Sequence, residues 1–226
     1  MTAPAIALFD VDGTLIDSGG AGGRSWARAF ADLHGVEVDI TKFSEVGQTD
    51  PIVARRTFRG ALERDPTPEE LGRLYAVYLR HLADDVRTSA GYRVLEAVPE
   101  TLDALCDAGV MLGIVSGNME GAARVKLTPG DLNRFFVFGG YGSDSDERSA
   151  LTRAALDRAE RLHGHRVSLE RVCVVGDTPL DVAAARGVGS VSVTVATGHY
   201  SVDDLKSAGA DFVLSSFAEG FPGLAG

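Results

Sequence analysis

Three short segments end in polar residues whose types could do chemistry together: Asp10-Val11-Asp12, Ser116-Gly117-Asn118 and Asp177-Thr178-Pro179-Leu180-Asp181. Each follows an apolar, β-prone run, and in open α/β sheets ligands bind outside the carboxyl ends of the strands. Carboxylates brought together from separate strand ends are the hard oxygen ligands that Mg²⁺ prefers. Crowded acids repel one another unless a cation lies between them. A serine at a helix start adds backbone N–H groups suited to an anion. The expected chemistry is that of a divalent cation beside one reactive carboxylate, with Asp10 ending a buried strand as an isolated charge. Asp12-Gly13-Thr14 by itself could equally be a plain turn, and Asp181 a helix-capping acid.

The elements that must position these residues alternate. Strands are expected at Ala5–Phe9, Val110–Val115, Phe135–Phe138, Val172–Val175, Val191–Val195 and Phe212–Leu214. They are apolar on both faces, as parallel strands covered by helices on both sides must be. A helix with Val98, Leu102, Leu105 and Cys106 on one stripe precedes the second strand, and one with Leu151, Ala155, Ala159 and Leu162 precedes the fourth. The fold class is therefore α/β, a doubly wound, Rossmann-like parallel sheet. Residues 15–90 break the pattern with helical periodicity only, seen in Trp26, Phe30 and Leu33 and in Leu71, Leu74, Tyr75, Tyr78, Leu79 and Leu82. They are expected to form an inserted α-helical cap domain, with residues 1–14 and 91–226 as the core domain. Gly19-Gly20-Ala21-Gly22-Gly23 is a candidate hinge at its start.

Bulk composition narrows the partners. The 226 residues carry 22 Lys and Arg against 32 Asp and Glu, a formal charge of −10. With no basic run, nucleic acid is excluded as an expected partner. No apolar stretch approaches the roughly 18 residues of a membrane span, so no membrane partner is expected and a cytoplasmic location follows. Cys106 and Cys173 lie in a helical and a strand pattern and are expected to be reduced.

The motifs together resemble the haloacid dehalogenase (HAD) superfamily, specifically its phosphatase branch with a helical cap, near phosphoglycolate-phosphatase-like members. The first motif, DxDGT, is Asp10-Val11-Asp12-Gly13-Thr14; the second is Ser116; the fourth, GDxxxD, is Gly176-Asp177-Thr178-Pro179-Leu180-Asp181. Three motifs in order, each ending a strand, are far more specific than any one alone. The resemblance implies a Mg²⁺-dependent phosphatase acting on a small phosphorylated metabolite, as a monomer or homodimer. Asp10 would be the nucleophile and Asp12 the acid and base. Asp10, Asp12 (through its backbone carbonyl), Asp177 and Asp181 would hold the metal. Gly13, Thr14, Ser116, Gly117 and Asn118 would surround the phosphoryl group.

The third motif departs from the family, since no lysine occurs between Lys126 and Lys206. Arg148 is the candidate cation, with Arg153 next; a guanidinium can neutralise the same charge with different reach. Gly47-Gln48-Thr49-Asp50 resembles a cap loop that meets substrate, with Gln48 where Arg or Lys is usual. Gln48 and Thr49 are therefore candidate substrate contacts, while Arg24, Arg55, Arg56 and Arg59 could meet an anion but are more commonly solvated. Within the same resemblance, a sugar-phosphate mutase of the β-phosphoglucomutase type keeps every core motif, and a weakly catalytic phosphate-binding member is a further alternative. A dehalogenase would not need Asp12.

Overall fold

The computed structural model describes residues 3–224. In chain order the elements are β1 (Ile6–Phe9), β2 (Ile16–Ser18), α1 (Ala21–His34), α2 (Asp50–Leu62), α3 (Pro68–Thr88), β3 (Tyr92–Val94), α4 (Val98–Asp107), β4 (Met111–Ser116), α5 (Glu120–Leu127), β5 (Phe138–Tyr141), α6 (Arg148–His163), β6 (Val172–Gly176), α7 (Pro179–Val188), β7 (Val191–Val195), α8 (Val202–Ser207) and β8 (Phe212–Leu214).

Six strands form one parallel sheet in the order β5-β4-β1-β6-β7-β8. Counted among the sheet strands alone, this is the 3-2-1-4-5-6 order of doubly wound folds, whose switch point lies between the first and fourth strands. Those are β1 and β6, in register with Phe9 opposite Val175. Asp10 and Asp177 are thus the first residues past this pair, on neighbouring strands at the crevice. Ile6, Leu8, Val172 and Val174 face one apolar layer with Leu151, Ala155 and Ala159 of α6. Ala7, Phe9, Cys173 and Val175 face the other with Leu102 and Leu105 of α4. Two buried layers explain why these runs carry no polar alternation.

Three elements differ from the expectation. The third sheet strand is Phe138–Tyr141, not Phe135–Phe138. Phe135 closes a 3₁₀ turn, and Val137 is 74% exposed. The strand that pairs instead contains Gly139 and Gly140, residues of poor β propensity, because Leu151 of α6 lies against the backbone there. Residues 15–90 do contain a strand, β2, which exists only through its antiparallel pairing with β3. Cys106 and Leu162, expected on buried stripes, are exposed in the last turns of α4 and α6. Both cysteines are free.

The chain leaves the sheet through β2 and returns through β3, so the two-stranded ribbon carries α1, α2 and α3 away from it. These helices have their own apolar cluster, including Trp26, Phe30, Phe58, Leu74, Tyr78 and Leu82, and it extends onto Met119 and Ala122 beside and within α5. Phe30 meets Phe58 edge-on with ring centres 5.3 Å apart, and Trp26 meets Tyr78 at 4.7 Å. Burying each such ring contributes roughly 1.5–3 kcal/mol. Thr67 and Glu70 close a reciprocal capping box at the start of α3. Gly20, in the left-handed region at φ 78°, starts α1 directly, so the glycine run is a tight turn into a helix.

Candidate active site

Asp10, Asp177 and Asp181 each offer a carboxylate oxygen, all within 4.8 Å of one another. Three buried acids this close repel one another, and donors of this hardness and spacing suit a divalent cation bound by oxygen. The crowding has an electrostatic signature. Burial, then Asp10 and Asp181, push the Asp177 carboxyl up to about 8. Burial likewise raises Asp10, against the pull of Arg148. A cation between the acids would relieve both.

Arg148 opens α6 and reaches back to the sheet edge. Its Nη2 donates to Asp10 Oδ2 at 2.6 Å and to Asp181 Oδ1 at 2.7 Å, and its Nη1 donates to the Gly47 carbonyl at 2.9 Å. The side chain is 8% exposed, so it is not a solvated helix-end arginine. Arg153 turns away and donates to the Gly187 carbonyl. Asp181 also keeps its capping role: its Oδ2 accepts from Thr178 N and Oγ1 at the start of α7. Both uses of Asp181 coexist, and its oxygens are well occupied.

Asp12 lies two residues past β1 and turns toward the cap, with 40% of its side chain exposed. Its Oδ2 accepts from Asn118 Nδ2 at 2.8 Å and from Lys126 Nζ at 2.6 Å. Burial would raise its carboxyl, but Lys126 and Asn118 outweigh that and hold it below the ordinary value. Lys126, buried on α5, also donates to Asn118 Oδ1 at 2.7 Å. Sequence reasoning missed this lysine. The available signal was a cation on the same helical stripe as Ala122, Ala123 and Leu127, the buried residues of α5.

Ser116 ends β4 and is buried beside Asp10. Its Oγ accepts from Asn118 Nδ2 at 2.9 Å. Gly117 is required by close approach, since a Cβ there would collide with the Gln48 carbonyl. The loop that leads into α2 is latched at this point: Asp50 N donates to the Gly117 carbonyl at 2.9 Å, and Met119 N donates to Asp50 Oδ2 at 2.7 Å. Burial, opposed by Lys126, raises the Asp50 carboxyl to about 6.

Between the sheet edge and α1–α3 is a cavity of about 200 Å³ that reaches Asp10, Asp12, Ser116, Lys126, Arg148 and Asp50. It is smaller than the roughly 300–1,000 Å³ of pockets for drug-sized ligands. Gly117, Asn118 and Gln48 also border it, though the Gln48 amide is spent on Glu45. Thr49, Gly13 and Thr14 do not border it. Thr49 is buried with its hydroxyl unpartnered, and Thr14 Oγ1 donates to Asp177 Oδ1. Gly13, at φ 78°, lets the turn pass over Asp177, where a Cβ would strike the carboxylate. The four candidate arginines are each paired, Arg24 with Asp85, Arg55 with Asp146, Arg56 with Glu45 and Arg59 with Asp65.

A parallel sheet in this order, with an acid cluster at its switch point and a helical insert after the first strand, defines a doubly wound α/β protein with a candidate site at the carboxyl ends of its strands. The haloacid dehalogenase-like hydrolase family model matches residues 4–189, and the chain belongs to that family. A phosphoglycolate phosphatase of Agrobacterium fabrum is 30% identical over 223 residues, covering 97% of this chain and 91% of that protein. One of Rhodospirillum rubrum is 31% identical over 234 residues, covering 97% and 92%. In fold, the chain is similar to CbbY of Rhodobacter sphaeroides, whose structure is in complex with phosphate, with a TM-score of 0.76 at 21% identity over 98% and 99% of the two chains. The enzyme is a hydrolase of the phosphatase type. Among the described residues, no helix is long and apolar enough to cross a membrane.

Proposed function

We propose that this phosphatase hydrolyses a small phosphomonoester through a phosphorylated Asp10, with Mg²⁺ held by Asp10, Asp177 and the Asp12 carbonyl and supported by Asp181. The observation that carries the reading is the convergence of three carboxylates within 4.8 Å with Arg148 bonded to Asp10. When bound, Mg²⁺ neutralises charge on the acids and on the transferring group.

The chain's own residues supply the rest. An Asp10 carboxylate oxygen attacks phosphorus, and the bond from phosphorus to the ester oxygen breaks. Asp12, at the cavity side of the same turn and ionised at rest beside Lys126, takes a proton from the water that cleaves the acyl-phosphate and, in its protonated form, gives it to the departing oxygen of the next ester. Arg148 orients Asp10 and offsets phosphoryl charge. Ser116 and the amides after it at the start of α5 receive phosphoryl oxygens. Residues 15–90 act as a cap that closes the cavity and limits bulk water.

Mg²⁺-dependent hydrolysis of p-nitrophenyl phosphate by the wild type and Asp10→Asn tests this reading. Loss of turnover in the variant is expected, and equal rates would reject the nucleophile. Because its curated relatives are phosphoglycolate phosphatases, phosphoglycolate is the first natural ester to assay, following release of inorganic phosphate.

A further inference from the structure

The far wall of the cavity, away from Asp10 and Arg148, is built from the cap and α5, and its polar groups are unevenly used. Asp50 borders the cavity. Its Oδ2 is taken by Met119 N, while among the described residues no donor lies within hydrogen-bond distance of Oδ1. An ionisable acceptor left open in a half-buried wall favours a donor on the ligand. Lys126 presents the opposite need. Two of its three N–H groups are given to Asp12 and Asn118, and one remains. Gly22 lies over it, where a Cβ would come within 3.4 Å of Nζ, so the absence of a side chain leaves the ammonium open to the cavity. Trp26 closes the same wall, its buried indole N–H without a partner.

The wall therefore offers an open carboxylate oxygen on Asp50 and a spare N–H on Lys126, and its charge is unfavourable to an anion. Lys126 is already matched by Asp12 at 2.6 Å, Asp50 and Glu45 add negative charge to the lining, and among the described residues no arginine but Arg148 borders the cavity. Arg148 belongs to the phosphoryl side. A carboxylate finds no free cation here, and an ammonium could satisfy Asp50 but could not accept from Lys126. A hydroxyl both donates and accepts.

We propose that the leaving group this cavity selects is an uncharged, hydroxylated one, a small polyol or sugar alcohol, and that Asp50 is the residue that reads its hydroxyl. The proposal rests on the phosphatase reading above and separates this chain from the substrate its curated relatives are named for.

The test compares kcat/KM, with Mg²⁺ present, for glycerol 1-phosphate, ethyl phosphate, phosphoethanolamine and phosphoglycolate, with p-nitrophenyl phosphate as a control for the chemistry. Glycerol 1-phosphate is expected to exceed each of the other three natural-type esters by about tenfold or more, because unmet polar groups in a wall discriminate strongly. Asp50→Asn keeps an oxygen for Met119 N and is expected to narrow the glycerol-to-glycolate ratio by about fivefold or more. The ratio is internal to each protein, so general structural damage cancels. Preference for phosphoglycolate or phosphoethanolamine, parity with ethyl phosphate, or an unchanged ratio in Asp50→Asn overturns the proposal. Failure of the wild type to hydrolyse p-nitrophenyl phosphate overturns the phosphatase reading and removes the proposal with it.

Discussion

Lys126 Nζ lies 2.6 Å from Asp12 Oδ2, a contact between a helix of the core and the turn that follows β1, 114 residues apart in sequence. The two are the charged pair facing the cap, as Arg148 and Asp10 are the pair facing the sheet. One cation orients each of the two acids of the first motif, and the cations arrive from different helices, α5 and α6.

Lys126→Met keeps the length of the stem but removes the charge. Asp12 then loses its shortest partner and retains Asn118 alone. The expected result is a drop in kcat of about 10- to 100-fold for an alkyl phosphate, the range of a misplaced acid–base group, with Asp10 chemistry otherwise intact. Because the buried ammonium is itself removed, only two acids lose a counter-charge: Asp12, which is partly solvated, and Asp50, whose carboxyl is already raised to about 6 and can take up a proton. A Tm within a few degrees of wild type is therefore expected. Steady-state kinetics and a thermal melt together check it; unchanged kcat would show that Asp12 needs no such support.

Arg148→Ala is expected to behave differently, because it strands Asp10 and Asp181 as buried acids. Breaking a buried ion pair from one side typically costs about 3–5 kcal/mol, so the metal-free variant should melt well below wild type, and added Mg²⁺ should recover part of the loss. Activity should fall by about 10²–10³-fold, as for loss of a preorganised charge at a reacting group. Arg148→Lys should recover stability more than activity. One ammonium cannot make the four donations that the guanidinium divides among Asp10, Asp181 and the Gly47 carbonyl. Calorimetry with and without Mg²⁺ separates the two effects.

Much of this site was legible because its residues terminate strands. Ile6–Phe9 and Val172–Gly176 are apolar on both faces and end in acids, so their positions follow from periodicity alone. Arg148 could be singled out because a cation was required in one interval and lysine was absent from it. The remainder depended on contacts distant in sequence. Lys126 occupies an amphipathic helix, where lysine is commonly solvated, and nothing local indicates that Asp12 lies above it. The Phe135–Phe138 run has the stronger β composition, yet the neighbouring Gly139-Gly140 segment pairs with β4, and at Gly140 a Cβ would strike the Leu151 carbonyl of α6. Thr14 was placed at the phosphoryl group by motif, whereas its hydroxyl serves Asp177.

Proton and metal should compete at Asp177. In the metal-free protein its carboxyl is raised from 3.8 to about 8, chiefly by burial. A folded-state value above the unfolded one means that the native state binds the extra proton between those limits. This group's contribution to stability is therefore fully present at low pH and is lost as pH rises toward 8. Mg²⁺ requires the carboxylate, so binding at pH 6–7 should release a proton, and the metal-induced gain in Tm should be larger at pH 8.5 than at pH 6. Melts at the two pH values, with and without Mg²⁺, check the sign. Equal gains would mean that Asp177 is not displaced from its proton by the ion.

Gly198→Ala tests the metal site from a residue outside every motif. Gly198 follows β7, and a Cβ built on it collides with the Asp177 carboxylate. The backbone at Gly198 is not in the left-handed region, so alanine adds no intrinsic strain and its whole effect is the displacement of Asp177. Thr197 beside it bonds the Gly13 carbonyl through Oγ1 at 2.6 Å, which ties this loop to the turn after β1 and limits its retreat. Asp177 must then leave the position in which its carboxylate meets those of Asp10 and Asp181. The expected outcome is a Mg²⁺ requirement raised by about tenfold or more, the scale on which disturbed metal sites lose affinity. At saturating Mg²⁺, KM for the phosphomonoester should be little changed, because the cavity wall around Asp50 and Lys126 is untouched. Titration of activity against Mg²⁺ reads the first and substrate titration the second. A variant with wild-type Mg²⁺ dependence would show that Asp177 does not hold the ion.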